Sequence, residues 1–181
     1  NDEEVIEKAN TYANKNKKAI AKKYTDVSVF APEDHPVSVF MAGSPGAGKT
    51  ESANALIQKF TSDGSILHID SDELRDEFED YNGTNSSLFQ AATSILVDKI
   101  HDLALKQNQS FVFDGTFSNL QKGILNIERS LDKKRDREVF IVYVYQDPIQ
   151  AWEFVQIRAA KDGRMVPKEA FIEQYFAARS N

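Results

Sequence analysis

Gly43, Gly48, Lys49 and Thr50 stand at the spacing G-x-x-x-x-G-K-[ST], inside the stretch MAGSPGAGKTES from Met41 to Ser52. Glycines there let consecutive backbone N–H groups turn inward around a chain of phosphates without side-chain collision. A helix opening at the lysine adds the positive end of its dipole. The run Gly43, Ser44, Pro45, Gly46, Ala47, Gly48, Lys49, Thr50 and Glu51 is therefore the expected nucleotide cradle. Lys49 is suited to reach the outer phosphates of ATP, and Thr50 to hold Mg²⁺. A merely flexible glycine turn does not account for an apolar run directly before the motif and a helical pattern directly after it.

A phosphate cradle says only that phosphates bind, so the fate of the γ-phosphoryl group depends on other residues. HIDSDELR ends an apolar run with Asp70 and Asp72, where ligands of open α/β sheets sit. Two carboxylates one residue apart can divide the labour. Asp70 can accept from a Mg²⁺-bound water, and Asp72 can accept the proton of an attacking hydroxyl. Asp72 also suits a helix N-cap or first-turn acid, and the two roles can coexist.

In FVFDGTF, Asp114 and Thr116 flank a glycine. A carboxylate and a hydroxyl suit sugar-like hydroxyls, while an apolar strand ending in Asp is also the usual metal-side acid; both readings stay open. QIRAAKDGR carries Arg158 and Arg164 around Asp162-Gly163. Guanidinium groups from a closing lid near residues 158–167 would neutralise charge on a transferring phosphoryl group and exclude water; two surface arginines are the alternative. Arg75 and Asn85 are further candidate substrate contacts, although Arg75, four residues before Glu79, also reads as half of a helix-surface ion pair. The YNGTN stretch is a substrate loop or a solvent turn. Trp152, Phe154, Phe171, Tyr175 and Phe176 recur at helical spacing and read as core. His35, His68 and His101 offer no metal-ligand spacing.

These residues need elements to hold them. Asp2 to Tyr24 is an amphipathic helix, followed by a connector to about residue 30 and beyond. Val37 to Met41 in VSVFMAG, SILHID, SFVFDGTF as far as Asp114, and REVFIVYVYQD are four apolar runs, each read as a strand. Between and after them, KTESANALIQKF, LFQAATSILVDKIHDLALKQ, SNLQKGILNIERSL (capped by Ser118), PIQAWEFVQIRAA and PKEAFIEQYFAARS carry helical periodicity. SDELRDEF begins like a helix, and turns are expected at Asp63-Gly64 and in DYNGTNSS. Short continuous apolar strands alternating with helices predict an α/β fold of three layers, a mostly parallel sheet with helices on both faces. A single domain is expected over 1–181, with its core at 37–181. The first helix is not needed for a minimal core. It either packs on the sheet edge, docks over the nucleotide site as an inhibitor, or offers a partner its grip.

The 181 residues carry 22 basic against 28 acidic side chains, a net charge of -6, which disfavours broad attraction to nucleic acid or anionic lipid. There is no cysteine, which excludes disulfides and thiolate metal sites. No apolar run approaches the roughly 18 residues of a bilayer span, so a soluble, cytoplasmic protein is expected. The chain begins at Asn1 and stops within a helical pattern, which reads as part of something longer.

GSPGAGKT, HIDSDELR, FVFDGTF and the arginine pair before MVPKEAF, in that order, resemble the zeta toxin family of P-loop kinases over about Val37 to Phe176; chloramphenicol phosphotransferase is a more distant likeness. The resemblance implies transfer of phosphate from ATP to a hydroxyl of UDP-N-acetylglucosamine, with toxicity restrained by an antitoxin that blocks the nucleotide site. It implies Lys49 as the phosphate lysine, Asp72 as the base, and Arg158 and Arg164 as the arginines that stabilise the transferring group. Asp114 falls where the family usually has glutamate, and the arginine spacing is tighter, so kinase chemistry is better founded than the sugar nucleotide. A kinase of an antibiotic or nucleoside, or a nucleotide-switched binding module, are the alternatives. The Asn-Lys-x-Asp guanine reader of GTPase switches is missing.

Overall fold

In a computed structural model of the chain, residues 1–60, 66–115, 117, 119–132 and 136–181 are described. The turn expected at Asp63-Gly64, the cap Ser118 and the candidate Thr116 lie outside them. The helix α1 (Asp2–Tyr24) is followed by β1 (Val37–Ala42), α2 (Lys49–Phe60) and β2 (Leu67–Asp70). Two 3-10 turns, Glu73–Glu77 and Ser86–Phe89, lead into α3 (Gln90–Lys106), then β3 (Phe111–Asp114), α4 (Leu120–Ser130), β4 (Glu138–Tyr143), α5 (Pro148–Asp162) and α6 (Lys168–Ser180).

The strands form one parallel sheet in the order β2-β3-β1-β4. Successive residues of a strand face opposite sides, and here both sides are apolar. Phe40, Leu67, Ile69 and Phe111 join α1 and α3 on one face. Val39, Met41 and Val112 meet Ala53 and Ile57 of α2 on the other. That double burial is why these strands read as continuous apolar runs. The cover thins at β4, whose Val139 and Val142 pack against the two clusters while Phe140, Ile141 and Tyr143 stay exposed at the sheet's edge.

α1 buries Ala9, Ala13, Ile20 and Ala21 in the same apolar cluster as the sheet and packs chiefly on α3, the packing role among its three readings. Its salt bridges, Lys8 to Asp80 at 2.7 Å and Lys23 to Glu77 at 2.9 Å, have well-exposed lysines. Such pairs contribute at most about 1 kcal/mol each, so apolar packing holds the helix. Trp152, Phe171 and Tyr175 pack with Ala151 and Val155 between α5 and α6, whereas Phe154 and Phe176 are exposed.

Two local expectations change. SDELRDEF makes only a 3-10 turn, because the Asp72 side chain does not cap it and the chain becomes extended at Phe78. α4 is capped by Asn119, whose side chain accepts from the Lys122 N–H at 3.0 Å. No helix among the described residues is long and apolar enough to cross a membrane.

Candidate functional site

Parallel register brings the C-terminal ends of the strands into one row: Met41 pairs with Asp114, and Asp114 with Asp70. The loop from Gly43 to Gly48 leaves this edge and α2 begins at Lys49, so the first-turn amides of α2 face the loop's interior. Lys49 Nζ donates to the Ser44 carbonyl at 2.8 Å. Burial lowers its pKa, and the nearby Asp114 and Asp72 carboxylates pull it back up. Ser44 Oγ is buried without a hydrogen-bond partner, and Glu51 is exposed.

Gly46 is outside the four motif positions, yet it is the tightest residue of the loop. Its φ is +74°, and a Cβ there would sit 2.2 Å from the Ala151 carbonyl oxygen of α5. Gly46→Ala should therefore destabilise the fold by about 1–3 kcal/mol from backbone strain and collision. Thermal unfolding should register this as a fall in Tm of roughly 3–10 °C. An unchanged Tm would mean that the loop does not press on α5.

On the acidic side, Thr50 Oγ1 donates to Asp114 Oδ2 at 3.0 Å, tying the phosphate loop to the end of β3. His68, Asp70 and Asp114 each offer one ligand atom within 4.8 Å of the others. Burial first, then the charge of Asp72, pushes the Asp70 carboxyl up to about 6, although the Asp72 N–H donates to it at 2.8 Å. Burial pulls His68 down, but Asp114 and Asp70 outweigh it and the imidazole pKa is raised. A buried carboxyl reluctant to ionise beside another carboxylate is a natural seat for a cation.

Asp72 is the hub of the opposite wall. Arg75 bonds its Oδ1, while Oδ2 accepts from Arg158 at 3.1 Å and from Arg164 at 2.6 Å. Burial pushes the Asp72 carboxyl up; Arg164, Arg75 and Arg158 together outweigh it and hold the group below its ordinary value. Arg158 comes from the last turns of α5. Arg164 follows Gly163, whose left-handed conformation ends that helix, so a single C-cap turns the second guanidinium back over the site. Tyr81 lies near Arg164 and, after Asp72, helps raise its pKa against the effect of burial.

Of the sequence candidates, the phosphate loop, Lys49, Thr50, Asp70, Asp72, Asp114, Arg158 and Arg164 meet at one end of the sheet. Arg75 joins them, bonding Asp72 and Gln90 rather than making the surface pair expected with Glu79. Asn85 does not join them. Its amide holds its own loop, accepting from the Asn82 N–H at 3.0 Å and donating to the Asp80 carbonyl at 2.9 Å. That loop flanks the arginine turn: a Cβ on Gly163 would lie 3.7 Å from Thr84 and 3.8 Å from the Asn82 carbonyl. His68, Tyr81 and Gln90 escape the sequence reading. His68 lies two residues before Asp70, and strand alternation alone puts both on one face.

A family model described as zeta toxin matches residues 21–181. The chain belongs to the zeta toxin family. Its α/β, three-layer architecture is that of the P-loop kinases, and three solved structures carry the likeness. One comes from a study of the PezAT chromosomal toxin-antitoxin system of Streptococcus pneumoniae, at 16% identity and a TM-score of 0.67, covering 84% of this chain and 62% of that one. A second is in the Pnkp1/Rnl/Hen1 RNA repair complex, at 15% identity and a TM-score of 0.61, covering 83% and 46%. The third is in the AvrRxo1-ORF1:-ORF2 complex, at 17% identity and a TM-score of 0.56, covering 99% and 56%. The chain thus spans less than two thirds of the length of each neighbour. No curated protein matches it.

Proposed function

We propose that this chain is an ATP- and Mg²⁺-dependent kinase of the cytoplasm that moves the γ-phosphoryl group to a hydroxyl of a sugar nucleotide, UDP-N-acetylglucosamine or a close relative. Its action as a toxin, held in check by an antitoxin, belongs to the same reading. The observation that carries it is the meeting of both lid arginines on the Asp72 carboxylate, with Lys49 close enough to feel Asp72 and Arg158 electrostatically. A proton acceptor, a phosphate lysine and two guanidinium groups are what in-line transfer to an alcohol needs.

The loop amides and Lys49 hold the β- and γ-phosphates. Arg158 and Arg164 leave Asp72 for the γ-phosphate oxygens, and the departure serves two ends. It brings positive charge to where negative charge develops, and it removes the groups that depress the Asp72 pKa, making that carboxylate a stronger base. The acceptor hydroxyl then attacks γ-phosphorus: the new O–P bond forms, the β–γ bridging P–O bond breaks, the proton passes to Asp72, and ADP leaves. Thr50, Asp114 and Asp70 supply the oxygen donors that suit Mg²⁺, which when bound neutralises charge on the phosphate oxygens. The bond between Thr50 and Asp114 favours the metal-side reading of Asp114 over contact with sugar hydroxyls. Arg75 then orients Asp72.

The test is incubation with γ-labelled ATP and Mg²⁺, with and without UDP-N-acetylglucosamine or a metabolite extract. Label should appear on a hydroxyl of an acceptor, with ADP release dependent on that acceptor. Label found only in inorganic phosphate would overturn the kinase reading, and bound ATP without turnover would favour a nucleotide-dependent switch.

A further inference from the structure

We infer that His68 is a nitrogen ligand of the divalent-cation site, and that the site takes Mn²⁺ in preference to Mg²⁺ before any nucleotide binds. The purpose of the ion rests on the kinase reading; its binding does not. Strand register sets Asp70 and Asp114 side by side, and alternation along β2 puts His68 on the same face as Asp70. The three ligand atoms lie within 4.8 Å of one another, so side-chain rotations of about an ångström bring all three to bonds of roughly 2.0–2.2 Å on one ion. His68 Nε2 is buried and has no hydrogen-bond partner. It stands 3.5 Å from Asp114 Oδ2, an ion pair at the long limit of hydrogen bonding.

A buried ring nitrogen with no hydrogen bond and only a long ion-pair contact is poorly satisfied. Here it sits beside two carboxylates that are themselves almost wholly buried, Asp70 at 8% and Asp114 at 6% exposure. A divalent ion between the three satisfies all of them. The donor set discriminates among ions. Mg²⁺ demands near-ideal oxygen octahedra and parts with water reluctantly, whereas Mn²⁺ accepts imidazole together with carboxylates. Three protein donors leave positions open for the Thr50 hydroxyl, water and phosphate oxygens.

The experiment uses the full chain, stripped with chelator and free of nucleotide. Mn²⁺ is titrated by calorimetry and by electron paramagnetic resonance. One ion per chain should bind, at least about tenfold tighter than Mg²⁺, and the pulsed spectrum should show coupling to a directly bonded imidazole ¹⁴N. His68→Gln, which cannot offer that nitrogen, should abolish the coupling and weaken Mn²⁺ by about tenfold or more, while Mg²⁺ binding changes little. A wild-type spectrum without ¹⁴N coupling, or unchanged Mn²⁺ affinity in folded His68→Gln, would overturn the inference. If the variant does not fold, the wild-type spectrum decides alone. Phosphoryl transfer with Mg²⁺, measured separately, can succeed while this fails, so the two failures are distinguishable.

Discussion

Asp72→Asn is expected to lower phosphoryl transfer by about two to four orders of magnitude, the usual worth of a positioned general base, while ATP still binds. The substitution keeps the shape of the side chain and an oxygen for Arg75, but removes the charge and the basic site. The direction of the change in ATP affinity carries more information than the loss of rate. In the resting structure Arg158 and Arg164 are engaged by Asp72 at 3.1 and 2.6 Å, so nucleotide has to draw them away. Partly exposed pairs of this kind are worth at most about 1 kcal/mol each. A neutral amide in place of the carboxylate holds them less firmly, and ATP affinity should therefore rise a few-fold as transfer collapses. Calorimetry with a non-hydrolysable ATP analogue, beside single-turnover assays, measures both. Transfer at the wild-type rate would remove Asp72 as base, and weakened ATP binding would mean that Asp72 does not compete with phosphate for the arginines.

The phosphate loop was legible because its chemistry is local: one strand, six residues and one helix supply the whole cradle. Even there the reason for Gly46 was hidden, since the carbonyl that excludes a side chain belongs to Ala151, far along the chain. Arg75 was misread for a geometric reason. An α-helix would have brought it to Glu79, four residues on, but Glu73–Glu77 forms a 3-10 turn, in which residues three apart eclipse, and the partner is Asp72. The cation cluster needed strand order. Nothing in the spacing of His68, Asp70 and Asp114 reveals that β2 lies beside β3 rather than beside β1, and only that adjacency makes the three a site. The amide of Asn85 is engaged within its own loop. A polar residue in a glycine-containing loop invited a substrate role, while its amide closes the turn in the manner typical of Asn.

The two lid arginines should differ in consequence. Arg164 is the more buried, at 23% side-chain exposure against 45% for Arg158, and Asp72 holds it at 2.6 Å with Tyr81 nearby. Arg158 stands on the exposed end of α5, where its bond to Asp72 is the longer of the two. A pre-positioned guanidinium contributes more to a charged transition state than one that must be ordered as the reaction proceeds. Arg164→Ala is therefore expected to lower the transfer rate by about 10³-fold or more, in the range of arginines that stabilise phosphoryl transfer, with a smaller loss for Arg158→Ala. Arg164→Lys should rescue little, because an ammonium cannot reproduce the planar fork that meets two oxygens at once. Loss of the Arg164 guanidinium should also admit water, so the fraction of ATP consumed by hydrolysis should rise in Arg164→Ala as transfer falls. The double variant should be far from the product of the single losses, since both groups act on one set of oxygens. Transfer by Arg164→Ala within about tenfold of wild type would place the charge-stabilising group elsewhere, and an unchanged ratio of hydrolysis to transfer would mean that water is excluded by other residues.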